Sequence, residues 1–172
     1  MNLRSSTAIL GLHPSLVTAA SAAIRALALQ GMEVLIISGL RTAAQQEALY
    51  AQGRTAAGHV VTNARAGQSM HNYGMAIDVV PYLTAGNDQD LNWKSQTPQF
   101  QAMVAAFKAQ GLEWGGDWKG SLGDFDHFQL GRLPASPSPK MLADYDNYIV
   151  KLGSFQMIWS RASNNLYAPV IA

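Results

Sequence analysis

The stretch Ser69-Met70-His71-Asn72-Tyr73-Gly74-Met75-Ala76-Ile77-Asp78-Val79-Val80-Pro81 runs from a polar loop through a glycine into a short apolar segment that ends at proline. The segment 75–80 reads as a strand stopped by Pro81. His71 and Asp78 lie seven residues apart in it. One passage from loop to strand can bring both side chains onto a single ion, and Gly74 permits the sharp approach that a side chain would block. Further along, Asp124-Phe125-Asp126-His127 leads into a second strand candidate over 126–130. The two segments offer two imidazoles and one carboxylate as nitrogen and oxygen ligands, with Asp124 as a spare carboxylate. A catalytic zinc site needs three protein ligands, an open position for water and a base beside that water.

Outward from these segments the pattern alternates. Apolar positions at helical spacing predict a helix over 14–30, with Pro14 at its start and Gly31 just past its end. Residues 33–38 (Glu-Val-Leu-Ile-Ile-Ser) read as a buried strand. Thr42-Ala43-Ala44-Gln45 has the form of a capping box opening a helix to about residue 51. Residues 53–68 are glycine-punctuated loop, and 83–96 are polar and irregular. Thr97-Pro98 begins a helix to Gln110 that stops at Gly111, and residues 112–114 form another short strand. The Pro134-Ala135-Ser136-Pro137-Ser138-Pro139 run is a stiff break. After it, Met141, Leu142, Tyr145, Ile149 and Leu152 share one face of a helix expected over 140–152, and 155–159 is apolar again. The order is α+β, with the metal-type residues at strand ends and in the loops that feed them.

Bulk properties narrow the function. At 172 residues the chain suits one domain with a sizeable core. Apolar content of 48% and charged content of 13% describe a globular protein. A net charge of +1 gives no electrostatic case for a nucleic-acid partner. With no cysteine, disulfides, thiolate zinc sites and cysteine nucleophiles are excluded, which leaves His, Asp and Glu as metal ligands. No signal-peptide h-region follows Arg4, and the alanine-rich stretch from Leu16 to Leu29 is too short and mixed to span a bilayer. Synthesis in the cytoplasm is therefore expected, with another export route for any role outside.

Spacing leaves an alternative open: His71 and His127 as ordinary half-buried histidines, and Asp78 as a strand-end cap. His13, before Pro14 at a helix start, and His59, in a loop without acidic neighbours, are not assigned to metal.

The segment Ser38-Gly39-Leu40-Arg41-Thr42, followed by Gln45, Leu49, Tyr50, Gln52-Gly53-Arg54-Thr55 and Thr62, resembles the D-alanyl-D-alanine carboxypeptidase and L-alanyl-D-glutamate endopeptidase family of zinc peptidases. The resemblance continues through Ser69-x-His71-x-x-Gly74-x-Ala76-x-Asp78, Trp114-Gly115-Gly116-Asp117-Trp118 and Asp124-x-x-His127-Phe128. It covers residues 9–133 in order and looks most like the phage endolysin branch. It implies a small antiparallel sheet flanked by helices, the LAS-type zinc peptidase fold. A catalytic domain over 1–133 and a C-terminal helical extension over 134–172, packed on it, are expected.

The resemblance also implies zinc held by His71, Asp78 and His127, with Asp124 as general base. Arg41 would bind substrate and stabilise the oxyanion, its bland alternative being a salt bridge to an acid such as Glu47. Ser69 would bind substrate or brace the His71 loop. Many relatives carry Glu at the position of Asp124 and Pro at that of Asp126. Asp126 is thus a rival base, but strand alternation is expected to turn it away from the face of His127. Trp114, Trp118 and Tyr73 are groove candidates, with a place in the core as the bland alternative.

The implied activity is hydrolysis of the L-alanyl-D-glutamate bond of peptidoglycan stem peptides by a monomeric endolysin. It would be made in the host cytoplasm, released by a holin-type partner and active on periplasmic peptidoglycan. The alternatives are a D-alanyl-D-alanine carboxypeptidase or dipeptidase, and a non-catalytic wall-peptide-binding relative.

Overall fold

The computed structural model describes residues 3–118 and 123–167. Residues 1–2, 119–122 and 168–172, the last of these belonging to the expected extension, lie outside them. The chain divides into two compact units, Met1–Gly39 with Met75–Gly131, and Leu40–Gly74 with Arg132–Ala172.

The first unit is built on a four-stranded antiparallel sheet. Its strands are β1 (Val34–Ser38), β2 (Ala76–Pro81), β3 (Leu112–Trp114) and β4 (His127–Leu130), in the spatial order β1-β2-β4-β3. Helices α1 (Leu3–Ala8), α2 (Pro14–Ala28) and α4 (Pro98–Lys108) belong to the same unit. The expected signals act at the helix ends. Pro14 and Pro98 occupy first-turn positions, and the Thr97 side chain accepts the Phe100 N–H. His13 is the N-cap of α2, its Nδ1 accepting the Ser15 N–H at 3.1 Å. Leu16, Ala20, Ala23 and Leu27 of α2 and Phe100, Met103, Val104 and Phe107 of α4 are buried at helical spacing. Phe107 meets Phe128 of β4 with ring centroids 4.8 Å apart. Phe128, its partners Ile77 and Trp114, and Val79 therefore line the sheet face that receives α4.

The opposite face is what positions the site. Asp78 lies directly across from His127, and Gln129 across from both Ala76 and Glu113. Alternation places Asp78, His127, Gln129 and Glu113 together, away from the Phe128 side.

The helix α1 lacks a periodic signal in the sequence. It is tied to the sheet by buried Ser5, whose Oγ accepts the Ile36 N–H at 3.0 Å. Strand β4 starts at His127, one residue later than expected.

The second unit holds α3 (Ala43–Ala51), a tight 3-10 turn over Met70–Tyr73, α5 (Pro139–Asp144), wide π-type turns over Tyr145–Val150, and α6 (Gln156–Ser163). The capping box of α3 is complete. Thr42 Oγ1 accepts the Gln45 N–H at 3.2 Å, and Gln45 Oε1 accepts the Thr42 N–H at 2.8 Å.

The helix expected over 140–152 runs as α5 to Asp144 and continues in wide π-type turns to Val150. Asp144 is buried there against Arg161 and Tyr167, and the wide turns shift the register of the face. Tyr145 stays inside, whereas Leu152 is 69% exposed. Among the described residues no helix is long and apolar enough to cross a membrane.

Candidate metal centre

His71 sits in the 3-10 turn, whose entry and exit are both fixed. Ser69 Oγ accepts the His71 N–H at 3.4 Å, and Gly74 closes the turn with φ +67°. That is the left-handed conformation glycine adopts without a Cβ penalty. The Arg41 N–H donates to the His71 carbonyl at 3.0 Å, while Asn72 Nδ2 donates to the Arg41 carbonyl at 2.9 Å. Tyr73 is fully buried, its hydroxyl donating to the Gly67 carbonyl at 2.8 Å. Burial raises its pKa well above the ordinary phenol value. Tyr73 is thus a bracing core residue.

The extension contributes here. Trp159 Nε1 donates to the Tyr73 carbonyl at 2.8 Å, and the Tyr145 ring lies 5.3 Å from that of Tyr73.

On the sheet, His127 Nδ1 lies 3.4 Å from Asp78 Oδ1 and 3.9 Å from Asp124 Oδ2. The other ring nitrogen, Nε2, faces Gln129 Oε1 at 3.2 Å. His127 is almost completely enclosed, whereas the Asp124 side chain is 53% exposed. Burial by itself would lower the His127 pKa. The Asp78 hydrogen bond and the charges of Asp78 and Asp124 outweigh it, and the pKa is raised. Gly115 makes room for this loop, because a Cβ there would stand 2.5 Å from the Asp124 carbonyl oxygen.

His71, Asp78 and His127 each offer one ligand atom, and as a group they could hold a metal ion. His13 and His59 join no such group among the described residues; His13 is spent on its cap, and His59 is exposed. The donor set is two nitrogens and one oxygen, which suits zinc. His127 Nδ1 and Asp78 Oδ1 stand 3.4 Å apart, and by the chemistry of their donor atoms the residues fit such an ion.

Asp126 precedes β4, so strand alternation does not govern it. Burial, followed by the charges of Asp78 and Asp124, pushes its pKa up to about 7. The Arg41 guanidinium donates to Gln46 Oε1 at 3.0 Å. Glu47 instead accepts the Ala66 N–H at 2.8 Å and stands 3.8 Å from Arg65.

Of the aromatic groove candidates, Trp114 is buried, its indole donating to the Phe125 carbonyl at 2.6 Å. Trp118 is half-buried with its ring 5.0 Å from that of His127. Gln129 and Glu113 are absent from the sequence reading. Their signal was the strand alternation that pairs 129 with 127, together with the pairing of β3 and β4.

A protein family described as D-alanyl-D-alanine carboxypeptidase matches residues 62–130, a span that holds all three candidate ligands and Asp124. Peptidoglycan L-alanyl-D-glutamate endopeptidase CwlK of Bacillus subtilis is 40% identical over 126 residues, covering 69% of this chain and 73% of CwlK. The chain belongs to this peptidase family. The family is metal-dependent, and the His71, Asp78 and His127 group is a possible site for the ion. The L-alanyl-D-glutamate peptidase of Listeria phage A118 is 31% identical over 58% of the chain, which spans 31% of that protein. The crystal structure of Serratia marcescens L-Ala D-Glu endopeptidase ChiX matches with a TM-score of 0.52 at 26% identity. It covers 76% of this chain and 88% of ChiX. The small antiparallel sheet with its helices is the ChiX fold.

Proposed function

We propose that the chain is a zinc endopeptidase that hydrolyses the L-alanyl-D-glutamate bond of peptidoglycan stem peptides. The observation that carries the chemistry is the donor group His71, Asp78 and His127, with Asp124 beside the His127 nitrogen that faces Asp78. The bond assignment is supported by the names of CwlK, the phage A118 peptidase and ChiX.

His71, Asp78 and His127 would hold zinc, which when bound supplies a Lewis acid and makes water acidic enough to ionise near neutrality. The rest is work for this chain's own side chains. Asp124 accepts a proton from the attacking water and delivers it to the amine that leaves as the C–N bond breaks. Its exposure suits a group that meets both water and substrate. Arg41, anchored by its backbone to the His71 turn, presents a guanidinium for a substrate carboxylate or for the developing oxyanion. Ser69, besides bracing His71, is a substrate contact in this reading. Residues 1–133 form the catalytic domain, and 134–172 are an extension that braces the His71 turn through Tyr73. The protein acts as a monomer.

That one relative comes from a Listeria phage favours an endolysin role; synthesis in a bacterial host and release to the wall by a holin-type partner complete this reading. The family's carboxypeptidase description favours one second reading, removal of terminal D-alanine.

Mass spectrometry of purified peptidoglycan digested by the zinc-loaded protein, with Asp124→Ala alongside, decides between them. Stem peptides beginning at D-glutamate, absent with the variant, are the expected products. Release of D-alanine alone establishes the second reading, and intact stems from zinc-loaded protein overturn both.

A further inference from the structure

We propose that Gln129 is a positioning residue of the metal centre: its carboxamide, oriented by Glu113, fixes the ring of His127 so that Nδ1 is the ligating nitrogen. This inference rests on the metal site proposed above and extends it to two residues outside the ligand set.

The three side chains form a directional chain. Gln129 is completely buried, with Oε1 3.2 Å from His127 Nε2 and Nε2 3.5 Å from Glu113 Oε2. Strand geometry enforces the arrangement. His127 and Gln129 are two residues apart on β4 and share a face, and Glu113 is the direct cross-strand partner of Gln129 on β3.

Donor and acceptor chemistry then gives the chain one polarity. The Glu113 carboxylate only accepts, so it draws the NH2 end of the Gln129 amide toward itself. That leaves Oε1, which also only accepts, facing the imidazole. His127 Nε2 must therefore carry the proton, and in a neutral ring the lone pair falls on Nδ1. Nδ1 is the atom 3.4 Å from Asp78 Oδ1. A ligating histidine whose second nitrogen donates to a fixed acceptor is held in both tautomer and orientation, and loss of such a partner commonly costs 10–100-fold in metal affinity. The alternative is a buried polar pair that serves packing alone.

The test measures zinc affinity of the full-length protein by chelator competition and the visible absorption of its cobalt(II) form. Thermal melts of the metal-free proteins run alongside. Gln129→Leu, close in volume but without an acceptor, is expected to weaken zinc binding roughly 10–100-fold and to alter the cobalt spectrum. Glu113→Gln frees the Gln129 amide to turn over and is expected to weaken binding less. The double exchange Glu113→Gln with Gln129→Glu rebuilds the chain with an acceptor still facing Nε2, and is expected to recover affinity lost in Glu113→Gln.

Wild-type affinity and spectrum in both single variants overturn the proposal, as does a double exchange no better than Glu113→Gln. Should Gln129→Leu fail to fold, the comparison of Glu113→Gln with the double exchange decides alone. Failure of the underlying metal site looks different: His127→Ala would then bind zinc as tightly as the wild type.

Discussion

Asp144 in the C-terminal extension and Asp126 beside the candidate metal centre are both carboxylates drawn away from water, and their neighbours differ in sign. Asp144 is met by the Arg161 guanidinium and by the Tyr167 hydroxyl at 2.6 Å, and Arg161 also reaches the Tyr148 hydroxyl at 3.2 Å. The Asp144 hydrogen bond raises the Arg161 pKa, while burial and that same carboxylate raise the Tyr167 pKa, so both donors keep their protons. Asp126 is crowded by Asp78 and Asp124, and its pKa rises to about 7. One cluster carries its own cation and serves to hold the extension. The other gathers negative charge around His127, which a cation from outside would relieve. Carboxylates drawn away from water can thus do opposite work, and the sign of their neighbours separates structure from chemistry.

The largest effects should come from breaking the metal side of this comparison. His71→Ala, Asp78→Ala and His127→Ala are each expected to abolish stoichiometric zinc by metal analysis. Asp124→Ala is expected to keep the zinc and lose about 10²–10⁴ in turnover of wall substrate. Equal zinc content in all four variants would remove the distinction between ligand and base.

The self-neutralised cluster should respond differently. Asp144→Ala strips the acceptor from Tyr167 and Arg161 and is expected to lower the melting temperature by roughly 5 °C. Zinc at about a hundred times its dissociation constant stabilises a protein by about 2.7 kcal/mol. Asp144→Ala should retain that zinc-induced rise in melting temperature, and His127→Ala should lose it. If Asp144→Ala also lost it, the two clusters would be one energetic unit.

Metal-free protein sharpens the contrast through pH. Asp126 titrates at about 7 in the fold against an ordinary value of 3.8, so folding favours its protonated form. Its contribution to stability is complete below about pH 4 and is lost as pH rises through 7. The raised pKa of His127 acts in the same direction. The metal-free melting temperature should therefore fall between pH 4 and 7, and Asp126→Asn should flatten part of that fall. A slope unchanged by Asp126→Asn would place the crowding elsewhere.

The sequence made the candidate ligands legible because their signal is local: His71 and Asp78 sit on one continuous passage, and His127 opens a strand. Helix ends were legible for a similar reason, since the capping box of Thr42 and Gln45 and the prolines at 14 and 98 act on their own first turns. What escaped depends on pairing across the fold. The link from Gln129 to Glu113 follows from the register of β3 on β4, and α1 is anchored through Ser5 to a strand thirty-one residues away in sequence. Asp126 stands one residue before β4 begins, where the rule for strand interiors does not reach. The widening of the helix after Asp144, whose partners stand at 161 and 167, likewise lies beyond any local window.

The smallest predicted effect concerns the hydrogen bond by which the extension touches the turn that carries His71. Trp159→Phe removes the indole donor to the Tyr73 carbonyl and keeps an aromatic ring beside Phe155, which lies 5.5 Å away in the native pair. A single neutral hydrogen bond of this kind contributes about 1 kcal/mol, or about 2–4 °C in a protein of this size. The turn keeps its other ties, from Ser69, from Arg41 and from the Tyr73 hydroxyl to Gly67. Zinc affinity should therefore change by no more than a few-fold while the melting temperature drops. A large loss of zinc in Trp159→Phe would instead mean that the extension sets the position of His71, and the separation between a bracing region and a chemical one would have to be redrawn at Tyr73.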